Sequence, residues 1–158
     1  MLNIATNIFR KLSDEDKKEI QKPEDVFGKV EISEYIQKGL ESEEVAKFIF
    51  QGFIFRNLIE DVLLWESFQQ LFKSIFNITI KKVDRQTEVQ IWVQDTSNPA
   101  SLNVVFSIKQ EEDIKNLLIT LRTKLEEDIF SKNKQQETGK ILWVAFDKET
   151  SKWLIKTL

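Results

Sequence analysis

Along the first dozen residues, Leu2, Ala5, Ile8, Phe9 and Leu12 recur at helical spacing and predict a helix with one apolar stripe. Ser13, followed by Asp14, Glu15 and Asp16, reads as the N-cap of a second short helix with acids in its first turn. Pro23 interrupts the pattern. The segment PEDVFGKVEI reads as an irregular or short extended connection, and Ser33 as the cap of a brief helix over EYIQKGL. Residues 1–42 are therefore expected to form a helical N-terminal extension.

Ser42, with Glu43 and Glu44 behind it, is the clearest helix start in the chain and opens a long helix expected over residues 43–75. From Ile54 onward, Phe55, Leu58, Ile59, Val62, Leu63 and Trp65 form one stripe, continued by Phe68, Leu71, Phe72, Ile75 and Phe76. The preceding FIFQGFIF, residues 48–55, is apolar nearly all round and must be buried on more than one side. A helix that could break at Gly52 is favoured there over a hairpin, because Gln51-Gly52 is a weaker turn former than Asn-Gly. A membrane-spanning helix needs about 20 consecutive apolar residues. This charge-free run stops at Arg56, with Glu60 and Asp61 in the next turn, so a span is excluded on length.

Beyond residue 75 the period changes from helical to alternating. Phe76, Ile78 and Ile80 share one face, as do Val89, Ile91 and Val93, and then Leu102, Val104, Phe106 and Ile108. Short connections around Asp84 and through DTSNPA imply an antiparallel meander of three strands with one buried face. A helix follows over about residues 111–132, with Glu111, Glu112 and Asp113 at its positive end and Ile114, Leu117, Leu118, Leu121, Leu125 and Ile129 inside. SKNKQQETGK is loop-like, and ILWVAF and KWLIKTL make two strands around DKET. The expected fold is α+β: N-terminal helices, then an antiparallel sheet in the order α-β-β-β-α-β-β, with helices packed on one face. Residues 76–158 form the βββ-α-ββ region, and residues 1–158 make a single domain.

Composition narrows the chemistry. The 158 residues contain no Cys and no His, which removes thiolate nucleophiles, Cys-ligated metals, imidazole bases and the Ser-His-Asp mechanism. With a net charge of −3 and neither half a basic footprint, the chain is not suited to binding nucleic acid by phosphate neutralisation. Arg10 and Lys11, without an acid before Ser13, are not followed by an apolar core or cleavage site, so no targeting peptide is expected. The expected setting is soluble and cytoplasmic, and neither a cofactor nor a metal is expected.

Three groups of residues remain as candidates for function. Trp92 lies on the otherwise polar side of its strand, and Val105 is the large apolar residue on that side of the next. With Trp143 or Trp153 they would form a patch suited to a protein partner, unless the N-terminal helices cover that face. Phe48, Phe50, Phe53 and Phe55 are the expected buried or interfacial anchors. The last strand, KWLIKTL, would leave an open sheet edge, with Lys152 and Lys156 as guards against pairing or as flanks of a strand-addition site. The acidic triplets Asp14–Asp16, Glu111–Asp113 and Glu126–Asp128 read as solvated helix faces, because consecutive residues splay around a helix.

The helix–three strands–helix–strand order resembles the core of PD-(D/E)XK-type nucleases. That resemblance implies magnesium-assisted hydrolysis with Asp84 or Asp95 as ligand and Lys109 as the lysine, but Ser107 stands where the motif has an acid. The same order is similar to that of small acidic secretion chaperones, which implies a dimer holding a client segment; the closing helix of that family is missing. The expected function is a non-enzymatic protein-interaction or adaptor module, chaperone-like and open to homodimerisation. A degenerate nuclease and a carrier with a hydrophobic ligand beside FIFQGFIF are the alternatives.

Overall fold

The structure is a computed structural model that describes residues 1–35, 45–83, 88–95, 102–108, 113–130, 140–147 and 152–157. Seven strands form one mixed sheet: β1 (Leu2–Thr6), β2 (Val30–Glu34), β3 (Val45–Phe53), β4 (Glu88–Asp95), β5 (Leu102–Ile108), β6 (Lys140–Asp147) and β7 (Lys152–Thr157). Their order is β2-β1-β3-β4-β5-β6-β7. β1–β2, β3–β4 and β5–β6 run parallel, whereas β1–β3, β4–β5 and β6–β7 run antiparallel. The class is α+β as expected; the sheet is mixed, not an antiparallel meander. Parallel neighbours need a crossover, and helices supply it. The helices are α1 (Asp14–Gln21), α2 (Glu24–Phe27), α3 (Phe55–Glu60), α4 (Val62–Lys82) and α5 (Asp113–Phe130).

The N-terminal expectation fails first. Leu2, Ile4 and Thr6 are buried in alternation, so residues 2–6 are a strand, and only a 3-10 turn, Phe9–Lys11, follows. PEDVFGKVEI resolves into α2 and β2, which places Ser33 inside a strand. The brief helix expected over EYIQKGL and the start at Ser42 fall in residues 36–44, outside the described residues.

FIFQGFIF is not a helix. Residues 45–53 form a central strand, with Ala46, Phe48 and Phe50 buried on one side and Lys47 and Ile49 half-buried on the other. A central strand is covered along both edges and need not alternate apolar and polar, which satisfies the demand for burial on two sides without a helix. The long helix expected over 43–75 is therefore a strand followed by α3 and α4. Asp61, extended at φ −111°, ends α3 and caps α4: its Oδ1 accepts from the N–H groups of Leu63 (2.9 Å) and Leu64 (3.3 Å). The break resets the helical phase and leaves Val62 and Leu63 exposed at 62% and 59%, off the stripe expected to bury them. Residues 76–82, expected to begin the meander, continue α4, because Phe72, Ile75, Phe76 and Thr79 keep its inner stripe buried.

All five helices sit on one side of the sheet. Phe50 meets Phe72 edge-on (5.9 Å between ring centroids), Phe53 meets Phe68 (5.0 Å) and Phe27 (5.2 Å), and Ile114, Leu118 and Leu121 of α5 join the same core. With every crossover on that side, β1→β2 and β3→β4 turn in one hand and β5→β6 in the other, so the usual right-handed rule is broken at least once.

Ser13 caps α1 as expected. Its Oγ accepts from the Asp16 N–H (3.1 Å), and Asp16 Oδ2 accepts from the Ser13 N–H (3.0 Å) and pairs with Lys82 of α4 (3.2 Å). Burial pushes the Asp16 carboxyl up, but the Ser13 amide and hydroxyl and the Lys82 ammonium outweigh it and hold the pKa below the ordinary 3.8. A depressed carboxylate stabilises the fold above its unfolded value, and that contribution fades as pH falls through the folded one. The stability gap between the wild type and Asp16→Asn is expected to be constant at neutral pH and to shrink below the ordinary aspartate range. Urea melts at successive pH values measure it; a gap that stays constant into strong acid would refute the assignment.

Candidate functional site

With the helices on one side, the opposite face is built by the strands alone among the described residues. The register sets three rows across it, one of them Lys47, Gln90, Ser107, Ala145. The middle one runs Ser33, Ala5, Ile49, Trp92, Val105, Trp143, Lys156, each directly opposite the next. The third runs Glu31, Asn3, Gln51, Gln94, Asn103, with four neutral amides in succession. The middle row is apolar from Ala5 to Trp143, and adjacent strands lie about 4.8 Å apart, so the apolar span crosses five strands.

Val105 has no accessible surface, yet it lies outside the contiguous core that the helices seal. It is buried on the helix-free face, between the ladder positions of Trp92 and Trp143. Trp92 is half-buried. Its Nε1 donates to Gln90 Oε1 (3.4 Å), and the ammonium of Lys47 sits over its ring at 4.3 Å. The same ammonium lies 5.3 Å from the Tyr35 ring, so one cation bridges two aromatics. Asn7 fixes that stretch of β3: its Oδ1 accepts from Lys47 N–H and its Nδ2 donates to Val45 C=O, both at 2.9 Å. Gln51 Nε2 reaches Gln94 Oε1 at 3.5 Å, a weak cross-strand bond. Beside Ile49 and Gln51, a concavity of about 490 Å³ extends over Asn3, Ala5, Glu31 and Ser33 and reaches the β2 edge at Gln21, Glu24 and Val30.

The structure separates the residues expected to act together. Trp92, Val105 and Trp143 share a row, whereas Trp153 stands opposite Phe146, at the alternate position of the ladder. Phe48, Phe50, Phe53 and Phe55 are buried in the chain's own core, Phe50 and Phe53 in ring contact with α2 and α4. As core residues they offer no surface to a partner. Val105, expected in an exposed patch with Trp92, offers none either, and of the apolar row Ala5, Ile49 and Trp92 keep accessible surface. The concavity lies on the other side of the sheet from Phe48 and Phe50. Of the nuclease-like set, Asp95 closes β4 opposite Phe53, and Asp84 and Lys109 lie outside the described residues. No group of three or more Asp or Glu placed to hold a metal ion occurs among the described residues, and no described helix is long and apolar enough to cross a membrane.

Ala5, Lys47 and Ile49 were not legible as site residues because β1 and β3 have the spacing of helices, and Tyr35 because it falls in the stretch EYIQKGL, which reads as a brief helix. The amides Gln90 and Gln94 were visible as the polar side of β4. Neither a protein-family model, nor a curated protein, nor a solved structure matches this chain.

Proposed function

We propose that the chain is a non-enzymatic protein-interaction module whose docking surface is the helix-free face of the sheet, centred on Trp92. The observation that carries this reading is the in-register apolar row from Ala5 through Ile49, Trp92 and Val105 to Trp143. Where one face of a sheet is solvated, its residues are ordinarily polar. Here the middle row is apolar and aromatic and is bordered by amides, with the charged Lys47 and Glu31 among them, the arrangement of an interface core with a polar rim. The central rows hold neither the repeated cations that a phosphate backbone needs nor converging acids for hydrolysis. A second copy of the chain is one partner this surface suits, and the chaperone-like dimer expected from the sequence is that case.

A photo-cross-linking residue placed at Ile49 is expected to yield discrete protein adducts in extracts of the native cell, whereas one at Lys115, exposed on α5, is expected to yield none. Trp92→Ser should weaken capture of the adduct partner roughly tenfold or more, with a lowered melting temperature from the lost half-buried ring but an intact fold by circular dichroism. Adduct masses distinguish a second copy from a different protein. Equal labelling from both positions, or capture unaffected by Trp92→Ser, would remove the basis for the reading.

A further inference from the structure

A sheet can also take up another polypeptide at its edge, and one edge here is β2. In the β1–β2 ladder, Leu2 N–H donates to Lys29 C=O (2.8 Å) and Tyr35 N–H donates to Thr6 C=O (2.9 Å). The odd-numbered residues of this segment are therefore bonded to β1, and Val30, Ile32 and Glu34 turn their backbone N–H and C=O groups outward. Val30 does not leave its pair open. Glu24 Oε1 accepts from Val30 N–H (3.3 Å), and Gln21 Nε2 donates to Val30 C=O (3.0 Å). One acceptor and one donor thus make the two bonds that a neighbouring strand would make at that residue. Gln21 is the last residue of α1 and Glu24 the first of α2, and the short turn through Lys22 and Pro23 brings both to the same edge.

We propose that Gln21 and Glu24 form a plug that holds the β2 edge shut against the β2 strand of a second copy of this chain. The strand is suited to pairing with itself. In an antiparallel pair centred on Ile32, Val30 meets Glu34, Glu31 meets Ser33 and Ile32 meets its own copy, so no like charges stand opposite each other. The outward-facing residues 30, 32 and 34 would then pair only with one another, as a hydrogen-bonded ladder requires. Such a contact is isologous and closes at two chains. With Val30 already bonded to side chains, that ladder loses its outermost bonds, and the sheet stays at seven strands. Natural proteins block exposed edges by comparable means.

The test is light scattering over a concentration series on the full chain. Gln21→Ala combined with Glu24→Ala is expected to double the wild-type mass as concentration rises, since both side chains sit at the surface and circular dichroism should report an intact fold. Glu24→Gln keeps an oxygen acceptor for the Val30 N–H and should behave as wild type. Adding Glu34→Pro to the double variant removes an outward N–H from the edge and should return the wild-type mass. A double variant that keeps the wild-type mass at every concentration overturns the proposal, as does association that survives Glu34→Pro. Gln21 and Glu24 also line the concavity beside Ile49, so Trp92→Ser added to the double variant tells the two surfaces apart: pairing at the edge persists in it, whereas association through the face is lost.

Discussion

Replacing Phe50 by alanine is expected to cost about 4 kcal/mol of folding free energy, the range of fully buried phenylalanines. Phe50 has no accessible surface, and it stands in the middle of the sheet, opposite Ile4 of β1 and Val93 of β4. Its ring packs edge-on against Phe72 at 5.9 Å and tilts against Phe53 at 6.0 Å. Neighbours held by two ladders and a helix cannot close over the gap, so the lost contacts add to the lost transfer energy. The adjacent residue supplies the control. Ile49 is half-buried on the other face, and Ile49→Ala should cost only about 1 kcal/mol from its smaller buried area. Chemical denaturation of both variants measures the difference. Equal costs would mean that β3 does not present Phe50 to the helices and Ile49 to the open face, and the docking surface would fall with it.

That contrast also shows where the sequence could be read and where it could not. Glu88–Asp95 and Leu102–Ile108 were legible as strands because polar and apolar residues alternate with one buried side. The helix Asp113–Phe130 and the final two strands were legible because turn residues bound them. β3 was not legible in that way for a physical reason: a central strand apolar on both faces has no period to distinguish it from a buried helix. It also runs into α3 with only Ile54 between, so length could not arbitrate. In β1, the spacing of Leu2, Ala5 and Ile8 suits a helix, but the sheet buries Leu2, Ile4 and Thr6. The alternation of Phe76, Ile78 and Ile80 was real as well, yet α4 already offered those residues an inner stripe. Reading β1 and β3 as helices hid the parallel pairs β1–β2 and β3–β4, whereas the parallel β5–β6 pair was implied by the helix expected between those strands, since such a crossover makes neighbours parallel. Of the candidate site, the Trp92–Val105 pair was legible from two adjacent alternating strands. The choice between Trp143 and Trp153 was not, because it depends on β6 and β7 register; that register sets Trp143 beside Val105 and Trp153 beside Phe146.

The Gln51-Gly52 pair, weighed as a hairpin turn, marks instead a fault in the β3 ladder, and Gly52→Ala is the substitution expected to do most damage there. The β3–β4 register slips between Gln51 and Phe53, and Gly52 at the slip has φ +126°, a conformation in which side chains are strained. A Cβ at this position would lie 2.4 Å from the carbonyl oxygen of Met1 and 3.0 Å from the Cα of Leu2. Both are backbone atoms of the neighbouring chain segment, and Leu2 is itself buried and bonded through its N–H to Lys29. Nothing there can swing aside as a flexible side chain would. Backbone strain alone costs roughly 1–3 kcal/mol, and displacing the start of β1 adds to it, so a loss of about 3 kcal/mol or more is expected. Gly28 isolates the two contributions. It also has a positive φ, +75°, where α2 gives way to β2, but a Cβ there would meet nothing within 4 Å. Gly28→Ala should therefore cost only the backbone strain itself, roughly 1–3 kcal/mol, since φ +75° with ψ −161° is a region that side chains scarcely enter. Denaturant melts of the two variants test the difference. Equal losses would show that the close approach of β1 to Gly52 adds nothing beyond strain, and that the bulge does not set the register in which Ile49 meets Trp92.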